Sequence, residues 1–175
     1  MQRYNRLSIA LHWLVAILII AAFALGSVMT DMRISPTKLQ YYSWHKWLGV
    51  TVLGFVALRL LTRLFSAAPA YPAGMKTWQK RLASATHVFL YMLMFAVPMS
   101  GYFYTSAAGY PVVYLGLFEL PGLIAANPEL KPLLKELHEV STTVILVVVA
   151  LHLAAALKHH FIDKDGIFQR ILPGK

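Results

Sequence analysis

Two histidines, His138 and His152, stand fourteen residues apart, with little between them but Val, Ile, Leu, Ala, Ser and Thr. On an α-helix that interval is about 21 Å of rise and just under four turns, so both imidazoles leave on nearly the same face. A hydrocarbon layer is roughly 30 Å thick, which sets one ligand near each of its edges. Two metal centres stacked along a membrane normal need a helix of this kind.

The elements that must carry such ligands follow from composition. Of 175 residues, 58% are hydrophobic and only 13% charged, and the apolar residues fall in long blocks rather than amphipathic stripes. That pattern predicts membrane helices rather than a soluble core. The length leaves no room for a second sizeable domain, so residues 1–175 read as one. No cysteine is present, which excludes disulfides, iron–sulfur ligation and covalently attached haem. A net charge of +9 would elsewhere suggest nucleic acid. In a membrane protein its placement matters more than its sum, and no nucleic-acid partner is expected.

Four spanning helices are expected, at about residues 7–29, 44–65, 82–104 and 136–161, giving an all-α integral membrane four-helix bundle. The first begins with a basic stretch and could pass for a signal peptide. Its apolar run is longer than such a segment needs, so it reads as a retained helix. Pro36 precludes simple continuation from the first helix to the second, and Pro98 should kink the third. Between the third and fourth helices, Tyr110 to Phe118 is apolar but too short to span, as in an interfacial or re-entrant segment. No internal repeat or low-complexity tract stands out.

Eleven Lys and Arg residues fall on the side of the termini and the second connection, against five (Arg33, Lys38, Lys46, Lys131 and Lys135) on the other. The positive-inside rule therefore predicts both termini in the cytoplasm. Each histidine then acquires a depth. His12 and His152 lie at matching cytoplasmic depths, whereas His45 and His138 lie at the outer ends of their helices. Two pairs result, each with one member on the fourth helix, which is the geometry for two bis-histidine haems inside a bundle. Hydrogen bonding between helices is the plainer role for a membrane histidine. Four at matched depths, two on one helix face, favour ligation. Zinc or non-haem iron would want three or four clustered ligands, often carboxylates, and no acid lies in the middle of any helix.

Further residues fit around these pairs. Arg59, fourteen residues after His45, faces the cytoplasmic centre as a candidate partner for haem propionates, and Arg63 lies one turn on. Snorkelling toward headgroups is the alternative for both. Gly49 and Ala154 to Ala156 are small enough to let a macrocycle approach, or simply pack helices. His87 also lies about one turn inside the cytoplasmic edge and could displace His12 or His152 as a ligand. Otherwise His87, His159 and His160 are candidates for binding a quinone carbonyl or relaying its protons. Lys46 and Lys135, with the other outer cations, could steer a small anion, unless Glu119, Glu129, Glu136 and Glu139 line the mouth.

Ala10-Leu11-His12-Trp13, Trp44-His45-Lys46, His138, His152 and the run Ala155 to Asp165 resemble the bacterial cytochrome b561 family, related to the cytochrome b subunits of hydrogenases and formate dehydrogenases. The resemblance covers nearly the whole chain. It implies a multi-pass protein of the bacterial inner membrane with two b haems on His12, His45, His138 and His152. Such a protein exchanges electrons with a quinone, and one activity attributed to the family is oxidation of superoxide to dioxygen with reduction of ubiquinone. Superoxide is thus the favoured periplasmic donor, a periplasmic redox protein being the other. A membrane anchor passing electrons for a partner dehydrogenase or hydrogenase is the second reading, and a haem-free structural or transport protein the third.

Overall fold

The computed structural model describes residues 3–72 and 74–174, and its framework is four long helices. These are α1 (Arg6–Asp31), α2 (Pro36–Phe65), α3 (Thr77–Ala107) and α4 (Leu130–Lys158), the last passing into one π-helical turn, His159–Asp163. All four are long and apolar enough to cross a membrane. α2, α3 and α4 begin earlier than the apolar runs alone suggest, because their first turns are polar or amphipathic, and side-chain caps start α1 and α2. Asn5 Oδ1 accepts from the Ser8 amide at 2.7 Å. Ser35 Oγ accepts from the Lys38 amide at 3.2 Å, and Pro36 sits in the first turn of α2, where its missing N–H costs nothing. Pro36 thus starts α2, and α3 runs unbroken through Pro98.

The four-residue link from Met32 to Ser35 forces α1 and α2 antiparallel. Lys38 closes that turn by donating to the Met32 carbonyl at 2.7 Å. The packing is most extensive within α1–α2 and within α3–α4, with α2 also lying along α3. Val15, Val52, Val56, Leu90, Leu93, Met94 and Ile145 form the central core.

That core is small because the apolar side chains face outward. Ile17, Ile20 and Leu151 are 62%, 65% and 64% exposed, each in the middle or inner half of a spanning helix. Such a surface is stable only against lipid, where backbone groups are already satisfied within the helices. The chain is a multi-pass membrane protein.

The two ends of the bundle differ. At one end both termini meet: Arg3 donates to the Leu172 carbonyl at 2.7 Å and Trp13 Nε1 to the Ile171 carbonyl at 2.8 Å. At the other lies a two-stranded antiparallel hairpin, β1 (Val112–Tyr114) and β2 (Phe118–Leu120), in the register Val112 to Leu120. The short apolar segment therefore becomes a hairpin docked on α2. Trp47 Nε1 donates to the Val113 carbonyl at 2.6 Å, and the Tyr114 and Thr51 hydroxyls meet at 2.8 Å.

Candidate metal centres

At the hairpin end, His45 on α2 and His138 on α4 face one another across the bundle. Their ring centroids are 6.1 Å apart and their planes nearly perpendicular. A carbonyl oxygen can only accept, so each contact to one fixes the tautomer. His45 Nδ1 donates to the Ala22 carbonyl of α1 at 2.9 Å, and His138 Nδ1 to the Val97 carbonyl of α3 at 3.0 Å. Ser100 Oγ donates to the same Val97 carbonyl at 2.8 Å and, 3.2 Å from His138 Nδ1, offers that N–H a second acceptor. Both Nε2 atoms are left with a lone pair, the state of a metal-ligating imidazole whose other nitrogen is anchored.

The two rings line a cavity of about 360 Å³, within the usual size of cofactor sites. Its walls are largely apolar, from Ile19, Phe23, Val52 and Met94. Gly26 and Gly49 line it too. Thr142 Oγ1, one turn beyond His138, is buried in the wall without a hydrogen-bond partner among the described residues. Tyr42, Tyr104, Lys135 and Glu139 also line it, from the ends of α2, α3 and α4 nearest the hairpin. Two opposed neutral imidazoles, an apolar slot and an unpartnered hydroxyl fit a haem held by two axial histidines. They do not fit zinc, which would need further ligands.

At the termini end the four helices each contribute one polar side chain. His87 of α3 lies against His152 of α4, centroids 5.4 Å apart and planes at 80°. His87 Nδ1 donates to the Ala83 carbonyl of its own helix at 2.7 Å. Across the bundle, Arg59 of α2 donates to His12 Nδ1 of α1 at 2.9 Å, and its guanidinium lies 5.4 Å over the Tyr91 ring. The sequence pairs His12 with His152, whereas in the fold the ring beside His152 is that of His87. Arg59 does reach this level, next to His12.

The remaining candidates sit apart. Lys46 Nζ donates to the Pro111 carbonyl at 3.2 Å, keeping its charge, whereas Lys135 pairs with Glu139 at 3.0 Å. Of the four acids whose position bore on steering, Glu139 lines the cavity. His159 belongs to a separate cluster in the π-helical turn, its Nδ1 donating to Asp165 at 2.6 Å and lying 3.2 Å from Asp163, which also holds Lys158. Sequence reasoning missed Gly26, Gly101, Ser100, Thr142 and the carbonyls of Ala22 and Val97. For the glycines and the carbonyls the signal is an interval: the same number of residues separates His12 from His87, Ala22 from Val97 and Gly26 from Gly101.

A membrane four-helix bundle with opposed, carbonyl-anchored imidazoles is suited to a b-type membrane cytochrome. Residues 3–174 match the family model of the prokaryotic cytochrome b561 proteins, and the chain belongs to that family. It is 34% identical over 179 residues to cytochrome b561 homolog 2 of Escherichia coli (strain K12), covering 98% of this chain and 92% of that protein. Cytochrome b561 homolog 1 of the same organism is 28% identical over 174 residues, covering 99% and 98%. A probable superoxide oxidase, CybB, of Yersinia pestis is 29% identical over 179 residues, covering 99% and 98%. Family membership makes this a haem b protein of membrane electron transfer.

Proposed function

We propose that the chain is a di-haem b cytochrome that carries electrons across the bacterial inner membrane, from superoxide at the hairpin end to ubiquinone at the termini end. The observation that carries this reading is the His45–His138 pair, two rings facing one another with Nδ1 of each committed to a backbone carbonyl. The positive-inside distribution of Lys and Arg supports a cytoplasmic side for the termini and a periplasmic side for the hairpin.

His45 and His138 would hold one haem, and His152 with His12 the other. The outer pair joins α2 and α4, which do not pack closely on each other. α1 and α4 are likewise open to one another, whereas α3 is packed along α4. That favours His12 over His87 opposite His152, and ligation there requires Arg59 to release His12 Nδ1, whose acceptor role leaves the ring proton on Nε2. The 5.4 Å approach of His87 to His152 favours the other assignment, and loss of the inner component in His87→Ala but not His12→Ala would establish it.

Bound haem, held by two histidines, would supply a one-electron carrier suited to outer-sphere transfer rather than oxygen binding. Two superoxide anions each lose one electron and leave as dioxygen. The quinone takes both electrons and two protons to become quinol. Lys46, cationic and close to the hairpin, raises the local concentration of the anion. Arg59 offers its guanidinium to a propionate at the inner level. At the termini end His87 and His159 are the candidates to hydrogen-bond the quinone, and the carboxylates of Asp163 and Asp165 fix His159 by Nδ1, leaving Nε2 to exchange a proton.

The test mixes haem-replete protein, in liposomes with ubiquinone-1, with potassium superoxide. Haem reduction followed by quinol formation at half the rate of superoxide loss is expected. Haem that stays oxidised under superoxide but reduces with a co-purifying dehydrogenase would support the second reading. In that reading the exposed apolar hairpin, with Leu117 77% and Phe118 53% exposed, docks a partner subunit of a dehydrogenase or hydrogenase.

A further inference from the structure

In each helical hairpin the histidine ring is wedged against a glycine one turn beyond the carbonyl that anchors it. His45 donates to the Ala22 carbonyl, and a Cβ built on Gly26 would lie 3.1 Å from its Cε1 and 3.4 Å from its Nδ1. His138 donates to the Val97 carbonyl, and a Cβ on Gly101 would lie 3.0 Å from Cε1 and 3.1 Å from Nδ1. In both cases Nε2 is the farthest of the three nearby ring atoms, at 4.0 and 3.6 Å. The ring therefore meets the glycine by its Cε1–Nδ1 edge, with Nδ1 at the carbonyl and Nε2 turned away. A Cβ at position 26 or 101 stands where the ring edge must lie.

The geometry points to Gly26 and Gly101 as paired positioning residues that set the orientation and the Nδ1 hydrogen bond of the two outer haem ligands. This rests on the His45–His138 haem reading above and deepens it. The other glycines of the spanning helices provide the contrast, since a Cβ on Gly49 or Gly54 meets nothing within 4 Å. Gly26 and Gly101 are thus not there for conformational freedom or for general helix packing. They keep a backbone carbonyl within reach of an imidazole on the neighbouring helix. Donation from Nδ1 makes the ring a stronger electron donor to iron and so favours the ferric state. Displacing the ring by a few tenths of an ångström weakens that donation and raises the midpoint potential of the outer haem.

The experiment uses the full-length haem-replete protein in detergent and compares wild type with Gly26→Ala, Gly101→Ala and Gly54→Ala. Optical redox titration and the low-spin ferric electron paramagnetic resonance spectrum are recorded for each. The component lost in His45→Ala identifies the outer haem, and its presence in wild type establishes the underlying reading independently of the glycines. Alanine is the better helix former, so the variants retain their helices. The expected result is an upward midpoint shift and altered g-values in the outer component only, larger for Gly101→Ala than for Gly26→Ala, with Gly54→Ala unchanged. Ser100→Ala, which adds no bulk, moves the same component in the same direction by less. An outer component with wild-type midpoint and g-values in both Gly26→Ala and Gly101→Ala would overturn the assignment. So would an equal shift in Gly54→Ala.

Discussion

The α1–α2 and α3–α4 hairpins are alike at one end and unlike at the other. At the hairpin end each presents a histidine on its second helix, anchored to a carbonyl of its first and pressed on a glycine one turn later. At the termini end His12 of α1 matches His87 of α3, but Arg59 of α2 stands where α4 carries His152. The level at the hairpin end is a symmetric pair of imidazoles from equivalent helices. The level at the termini end holds three histidines and one arginine, so a haem held by His152 with either His12 or His87 would draw on non-equivalent helices, with one cation nearby. One framework thus offers two electrostatically different sites, and a difference between sites gives an electron a direction.

The largest effect should come from breaking the symmetric level. His138→Ala, like His45→Ala, removes one of the two b components, halving the haem-to-protein ratio measured by pyridine haemochromogen, and leaves the other at its original midpoint. Breaking the asymmetry should act on the inner component alone. Arg59→Leu removes a cation that favours the ferrous state, so the inner midpoint falls by on the order of 50 mV, the field of one partly screened charge. A potentiometric titration resolves this, and an unchanged inner midpoint would mean that Arg59 serves only packing.

Smaller effects sharpen the contrast at the mouth and at the caps. Lys46 donates to a carbonyl and keeps its field, whereas Lys135 is offset by Glu139. Lys46→Gln should therefore slow superoxide-driven haem reduction by roughly two- to threefold at low salt, more than Lys135→Gln, with the difference vanishing as salt rises. The smallest change is confined to one hairpin's turn. Ser35→Ala removes the cap of α2 and costs about 1 kcal/mol of stability, seen in thermal unfolding followed by circular dichroism, with both haem spectra unchanged.

The helix number and the faces of His138 and His152 were legible because long apolar runs and the 3.6-residue period are local properties of a chain. The depth of His45 opposite His138 followed from the same arithmetic. What lay beyond reach depends on how helices are arranged. Which ring neighbours His152 is decided by α3 packing on α4, and hydropathy encodes no neighbour order. Gly26 and Gly101 look like ordinary small residues of membrane helices until the imidazole of the next helix is seen against them. The shared interval between hairpins was present in the sequence, yet its members (a histidine, an alanine matched to a valine, a glycine) share no motif. Pro36 does bar continuation, as expected, yet α2 also begins there rather than near Trp44, since a proline that stops one helix is well suited to beginning the next.

The most direct test of the account is an optical redox titration of the purified protein beside His45→Ala. Two low-spin b components in wild type, with only one surviving in the variant, is the result expected of two centres on one bundle with His45 a ligand of the outer one. A protein that carries no haem when expressed with haem in excess, or a His45→Ala variant that keeps both components, would contradict it.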